Sequence, residues 1–160
     1  MTTAQSTIDV NVPLSTAYNQ WTQLESFPHF MSGVESVTQI DDSRTHWVMK
    51  IAGVEREFDA EITDQVADDH LAWHSIGELK QGGRVEFTSA GPEVTTITLT
   101  MDWDPEGFVE SAGAALQVDD AMVKGDLKNF KKFIEERGVE EGGFRGDIRG
   151  GSGATSDPQI

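Results

Sequence analysis

The chain contains no cysteine. That excludes a disulfide framework, a thiolate metal site and a cysteine nucleophile, and it suits a reducing compartment. Long apolar runs are missing as well. No stretch approaches the ~20 residues that span a bilayer, so stable membrane insertion is not expected. The first residues, MTTAQSTIDV, carry neither the basic patch nor the apolar core of a secretory signal, and a cytoplasmic location is the expectation. Basic residues are scarce: 12 Lys and Arg stand against 28 Asp and Glu, a formal charge of −16. Such a surface repels phosphate backbones and argues against a nucleic-acid partner. The one basic cluster, Lys124, Lys128, Lys131 and Lys132, is interleaved with Asp126, Glu135 and Glu136 and reads as a solvated helix face. The acidity also suits a high-salt habitat, which composition does not distinguish from an ordinarily acidic proteome.

What is present is a change of hydrophobic period along 160 residues, a length that suits one domain burying roughly 70% of its unfolded surface. Ile8, Val10 and Val12 alternate as a strand that stops at Pro13. Leu14, Ala17, Tyr18, Trp21 and Leu24 then fall on one helical face, and a second short helix around Pro28 to Met31 puts Phe27 and Phe30 inward. Alternating segments follow at Val34–Ile40, Thr45–Ile51, Val54–Gln65, Leu71–Ile76, Val85–Ser89 and Val94–Trp103. Turn residues separate them at spacings too short for parallel crossovers, so the meander is antiparallel. An amphipathic stretch from Phe108 to Glu136 closes the domain, its apolar stripe interrupted at Asp119 and Asp120. Burying an unpaired carboxylate costs several kcal/mol, which predicts a bend or lift near Val118–Ala121 that would gate the interior. Residues 1–138 are expected to form the domain, and 139–160, rich in glycine and acidic residues, a flexible tail. This order describes a curved sheet wrapped around a long helix, with apolar space between them.

These elements, with VNVPLSTAYNQWTQLESFPHFMSGVESV near the start and GDLKNFKKFIEERG at the end, resemble the START-like (SRPBCC) superfamily. The branch is that of polyketide cyclase/dehydrases and coenzyme Q-binding proteins. The resemblance covers residues 4–137 and rests on Trp21, the Phe27-Pro28-x-Phe30-Met31 segment, Ala72-Trp73 and Gly125-Asp126-Leu127. It implies an α+β helix-grip (START/Bet v 1-like) fold, with a curved antiparallel sheet of about seven strands around a long C-terminal helix. It also implies a cavity for a lipid, quinone or polyketide.

Alternation assigns the lining. Trp47, Met49 and Ile51 share one face, as do Phe58, Ala60 and Ile62; Leu71 and Trp73, Val85 and Phe87, and Ile97, Leu99, Met101 and Trp103 continue it. Leu116 and Val123 face them from the helix. The candidate ligand-binding set is therefore Trp47, Met49, Ile51, Phe58, Trp73, Phe87, Leu99, Met101, Trp103, Leu116 and Val123. All of these are core residues in any reading, and three inward tryptophans can equally fill the space.

Catalytic groups are sparse. The family's aromatase/cyclases use an arginine on a central strand, whereas Phe58–Gln65 has none; the nearest, Arg56, reads chiefly as a surface partner of Glu55 or Glu57. His70 and His74 would be about 13 Å apart on a strand, too far to share a zinc ion. All four histidines, His29, His46, His70 and His74, read as surface residues. No metal site, cofactor motif, nucleophile triad or carboxylate dyad stands out, so no metal and no cofactor is expected, and no catalytic residue is assigned. The leading function is binding or carriage of a small hydrophobic molecule without catalysis. A cyclase/dehydrase-type enzyme is the alternative, and a protein-interaction module the second alternative. No feature of the chain sets the oligomeric state.

Overall fold

The computed structural model describes residues 2–51, 54–77, 81–103 and 120–137. Strand β1 (Thr2–Val10) leads into helix α1 (Leu14–Trp21) and a 3-10 helix (Leu24–His29). Strands β2 (Val34–Gln39), β3 (Arg44–Ile51), β4 (Val54–Val66), β5 (His70–Ile76), β6 (Gln81–Gly91) and β7 (Val94–Trp103) follow, and helix α2 (Asp120–Arg137) is the last element among the described residues. All neighbouring strands pair antiparallel in the order β1-β7-β6-β5-β4-β3-β2. The sheet curls into the half-barrel of the helix-grip fold.

Two strands, β1 and β6, begin several residues earlier than their apolar alternation predicts. β1 starts at Thr2 because its outward residues bond across to β7: Thr3 Oγ1 donates to Asp102, Gln5 Nε2 to Thr100 Oγ1, and Thr96 Oγ1 to Asp9. Ala4 and Ser6 are too small to signal a strand by hydrophobicity, yet cross-strand pairs of this kind each contribute a few tenths of a kcal/mol or more. β6 starts at Gln81 rather than Val85, through Gly82 and Gly83, since both glycines are held between β5 and β7. The turn between β4 and β5 contains Asp68 at φ 63°, a left-handed conformation that aspartate tolerates better than most residues.

Two bulges alter the faces. One lies between Val34 and Ser36 in β2, the other between Ile62 and Asp64 in β4. The second reverses the alternation, so that Gln65, odd-numbered among even-numbered inward neighbours, is buried. Helix α2 turns Val123, Leu127, Phe130 and Ile134 inward against β1, β7 and the 3-10 helix. The bend expected near Val118–Ala121 and the residues 139–160 expected to form a tail lie outside the described residues, apart from the start of α2 at Asp120.

Candidate functional site

The inner face is built by alternation. Trp47 and Met49 of β3, Phe58 of β4, Trp73 of β5, Phe87 of β6, Leu99 and Met101 of β7, and Val123 of α2 are all buried there. Ile51 and Trp103 end β3 and β7, but their side chains lie outside the described residues, as does Leu116 entirely. Aromatic rings fill the middle of this face. Trp47 stacks on Trp73 with centroids 5.5 Å apart and on Phe58 at 5.8 Å. Phe27, carried inward by the 3-10 helix, meets Trp47 edge-on at 5.6 Å and lies 5.8 Å from Trp73. A second cluster, Trp21, Phe30 and Phe130, ties the short helices to α2 at 5.0–5.2 Å.

The Trp73 indole lies over Gly83, its partner across the strand pair. A Cβ at Gly83 would sit 2.7 Å from Trp73 Cε2, so glycine is what allows the ring to lie flat there. The ring then reaches Gln81, whose Oε1 accepts from Nε1 at 3.2 Å. Trp47 Nε1 likewise donates to Thr45 Oγ1 at 2.8 Å, and the Thr45 hydroxyl in turn donates to the Ala60 carbonyl at 3.3 Å. Gln20 is bonded to Ser26, and Thr95 to the Val12 carbonyl. The polar groups named here each answer a neighbour in sequence or across a strand, and they do not converge on a common point. Trp21 Nε1 has no hydrogen-bond acceptor among the described residues; the faces and edges of Phe27, Phe30 and Phe130 surround it instead.

Three ionisable side chains sit differently from expectation. Asp126 was expected on a solvated helix face but is only 6% exposed, because position 126 lies at the border of the α2 apolar stripe and meets the loop after the 3-10 helix. Its Oδ1 accepts from both the backbone N–H and the hydroxyl of Ser32 at 3.1 Å. Burial nevertheless wins and pushes its pKa up. Arg56 falls opposite Met49 in the same row as Phe58, at the rim of the inner face. Its Nη1 donates to the Glu55 backbone carbonyl at 3.0 Å. His70, expected on the surface, is half-buried between Asp64 and Asp69, each carboxylate 3.2 Å from a ring nitrogen. His29 stacks on Phe133, and His46 lies on the outer face between Asp59 and Glu57.

Two concavities border the sheet. A cleft of about 250 Å³ opens between the α1/3-10 junction and the far ends of β2 and β4, over Leu24 and Ile62, with Glu25, Gln39, Asp42 and Gln65 around it. A more open hollow of about 500 Å³ lies where β5, β6 and β7 meet, beside His74, Gln81, Gly82, Arg84 and Asp102.

This arrangement of strands and helix is shared with known proteins. The model of the polyketide cyclase / dehydrase and lipid transport family matches residues 10–132. The chain belongs to that family. A relative from Streptomyces lincolnensis, an uncharacterised 17.2 kDa protein, is 49% identical over 149 residues, covering 92% of this chain and 99% of its own. Among solved structures, a Deinococcus radiodurans protein superposes with a TM-score of 0.70 at 22% identity, over 87% of this chain and 100% of that one. The Zhui aromatase/cyclase of Streptomyces sp. R1128 gives 0.66 at 13% identity, over 89% and 98%. A START superfamily protein of Mycobacterium smegmatis gives 0.58 at 18%, over 84% and 95%. At these identities the structural likenesses establish the family's fold, not a shared ligand.

Proposed function

We propose that the protein binds or carries a small hydrophobic molecule, a lipid, quinone or polyketide-like compound, between the concave face of the sheet and α2. Trp47, Met49, Phe58, Trp73, Phe87, Leu99, Met101 and Val123, with Ile51, Trp103 and Leu116, would provide its contacts. The observation that supports this reading is the state of the inner wall. Its indole N–H groups are turned to Thr45 and Gln81, so among the described residues an apolar surface faces inward without a convergent set of acids, bases or donors. Wall chemistry of that kind holds a molecule and does not activate it. Because Phe27 packs against both Trp47 and Trp73, a bulky ligand would have to displace the 3-10 helix to reach them.

Native mass spectrometry of protein purified from its own source should show a retained apolar mass. Titration with a long-chain fatty acid or a short-chain ubiquinone should change tryptophan emission saturably. Absence of both at micromolar concentration would end the carriage reading. The cyclase/dehydrase alternative has one feature in its favour: Arg56 stands in the inward row at the rim, where a guanidinium could orient an enolate. Incubation with a poly-β-ketone thioester should then give a cyclised aromatic product, and Arg56→Lys should diminish it; no product above the uncatalysed rate counts against the alternative.

A further inference from the structure

A buried indole N–H usually meets an acceptor, because an unanswered donor bears the full cost of leaving water. Two of the three tryptophans whose side chains are described follow this: Trp47 donates to Thr45 Oγ1 and Trp73 to Gln81 Oε1. Trp21 does not. It is 1% exposed, and its Nε1 reaches neither solvent nor an acceptor among the described residues. The ring is packed in carbon, with Phe27 at 5.4 Å and Phe30 and Phe130 at 5.2 Å between centroids. An aromatic face accepts an N–H only weakly, so most of the desolvation cost stands. Phe27 also links this donor to the sheet. The same phenyl packs edge-on against Trp21 and Trp47 and lies 5.8 Å from Trp73. A flat ring that takes its place meets all three indoles, and of the three only the Trp21 N–H is uncommitted.

We propose that the interior ligand is a neutral carbonyl compound with a flat ring: the ring replaces the Phe27 phenyl, and the oxygen accepts from Trp21 Nε1. This rests on the hydrophobic-ligand reading above and assigns that ligand its polar contact. Three alternatives fit the donor less well. A hydrocarbon leaves the N–H unanswered. A carboxylate would be buried without a cation, since Asp126 is the one charged side chain buried among the described residues and is itself an acid bonded to Ser32. An alcohol accepts, but its own hydroxyl hydrogen then needs a second partner in the same aromatic surroundings, whereas a carbonyl oxygen only accepts.

Two-dimensional NMR of the indole N–H groups in the full chain tests this with acetophenone, isopropylbenzene and benzoate, three probes that share one ring. Acetophenone should bind saturably, move the Trp21 Hε1 resonance downfield relative to isopropylbenzene, and show a cross-relaxation contact between that proton and its methyl group. Benzoate should leave the resonance unmoved. Isopropylbenzene is the more hydrophobic probe, so affinities are compared between proteins and not between ligands. Trp21→Phe, which keeps a ring and removes the donor, should weaken acetophenone about fivefold and leave isopropylbenzene nearly unchanged. Should that variant not fold, the wild-type shift and contact decide. The proposal fails with carriage intact if both neutral rings displace Hε1 alike, if benzoate competes with acetophenone, or if folded Trp21→Phe binds acetophenone undiminished. It also fails if neither neutral ring binds, and the fatty-acid and ubiquinone titrations then tell whether carriage fails with it.

Discussion

At the scale of single residues, two positions concentrate what holds the interior. Gly83 is required by Trp73 and not by the strand itself, since a side chain there would collide with the indole. Gly83→Ala should therefore force Trp73 off Trp47 and cost about 1–3 kcal/mol, as overpacking does. A lowered denaturant midpoint with altered near-ultraviolet circular dichroism from the Trp47–Trp73 pair would show it; an unchanged midpoint would mean that the ring shifts without penalty. Asp126 works in the opposite sense to most carboxylates. Burial raises its folded pKa above the unfolded value, so the folded state binds the proton more tightly. Its contribution is fully present below about pH 3.8 and is lost as pH rises through the folded pKa. Asp126→Asn, which still offers Ser32 an acceptor oxygen, should raise the melting temperature at pH 7 and lose that advantage in acid. Melting curves of both proteins from pH 3 to 8 provide the check, and equal curves across the range would refute the assignment.

At the scale of elements, the outer face of β3 and β4 carries a pH-dependent pair. Asp59 Oδ1 lies 2.7 Å from His46 Nδ1 and Glu57 Oε1 lies 3.1 Å from Nε2, an arrangement in which only the doubly protonated ring donates both bonds. The Asp59 hydrogen bond raises the His46 pKa above 6.5, outweighing desolvation and aided by Glu57. The strand pair is thus helped below about pH 6.5, and the help is lost as pH rises through the folded value. The ring is 37% exposed, so solvent screens much of the effect. An NMR titration of the His46 ring should give a folded pKa above 6.5 that falls in Asp59→Asn; a value at or below 6.5 would count against the geometry. Helix α2 is fastened at two places along its length. Asp126 and Asn129 hold the loop after the 3-10 helix through Ser32 and the Phe30 carbonyl. Lys131 reaches the Asp9 carbonyl, and Glu135 accepts from the Asn11 N–H. Although burial pushes the Glu135 pKa up, the bonds from Lys131 and Asn11 bring it below the ordinary carboxylate value. These ties register α2 against β1 and against the loop after the 3-10 helix.

At the scale of the whole molecule, charge is the dominant fact. With −16 spread over 160 residues, self-repulsion opposes the compact state, and added salt should relieve it. The melting temperature should climb between about 0.05 and 1 M sodium chloride, where the Debye length falls from over 10 Å to about 3 Å. An equal osmolality of sucrose separates screening from general surface exclusion, and a melting temperature indifferent to salt would show that the charges are too dispersed to matter. The order of elements and the inward identity of Trp47, Met49, Phe58, Trp73, Phe87, Leu99 and Met101 were legible in the chain itself, because a strand's side chains alternate with period two and a helix's with period 3.6, whatever they later touch. The resemblance to the helix-grip family rested on that order together with Trp21, the Phe27-Pro28-x-Phe30-Met31 segment, Ala72-Trp73 and Gly125-Asp126-Leu127. Tertiary structure alone decided the rest. A single inserted residue in β4 turned Gln65 inward, and Gly82 and Gly83 became strand because neighbours on both sides hold them. Asp126 was buried by a loop nearly a hundred residues away, and Glu25 was brought over the end of β2 by the 3-10 helix. None of these is periodic in sequence; each arises where segments distant along the chain meet, and local pattern carries no record of that meeting.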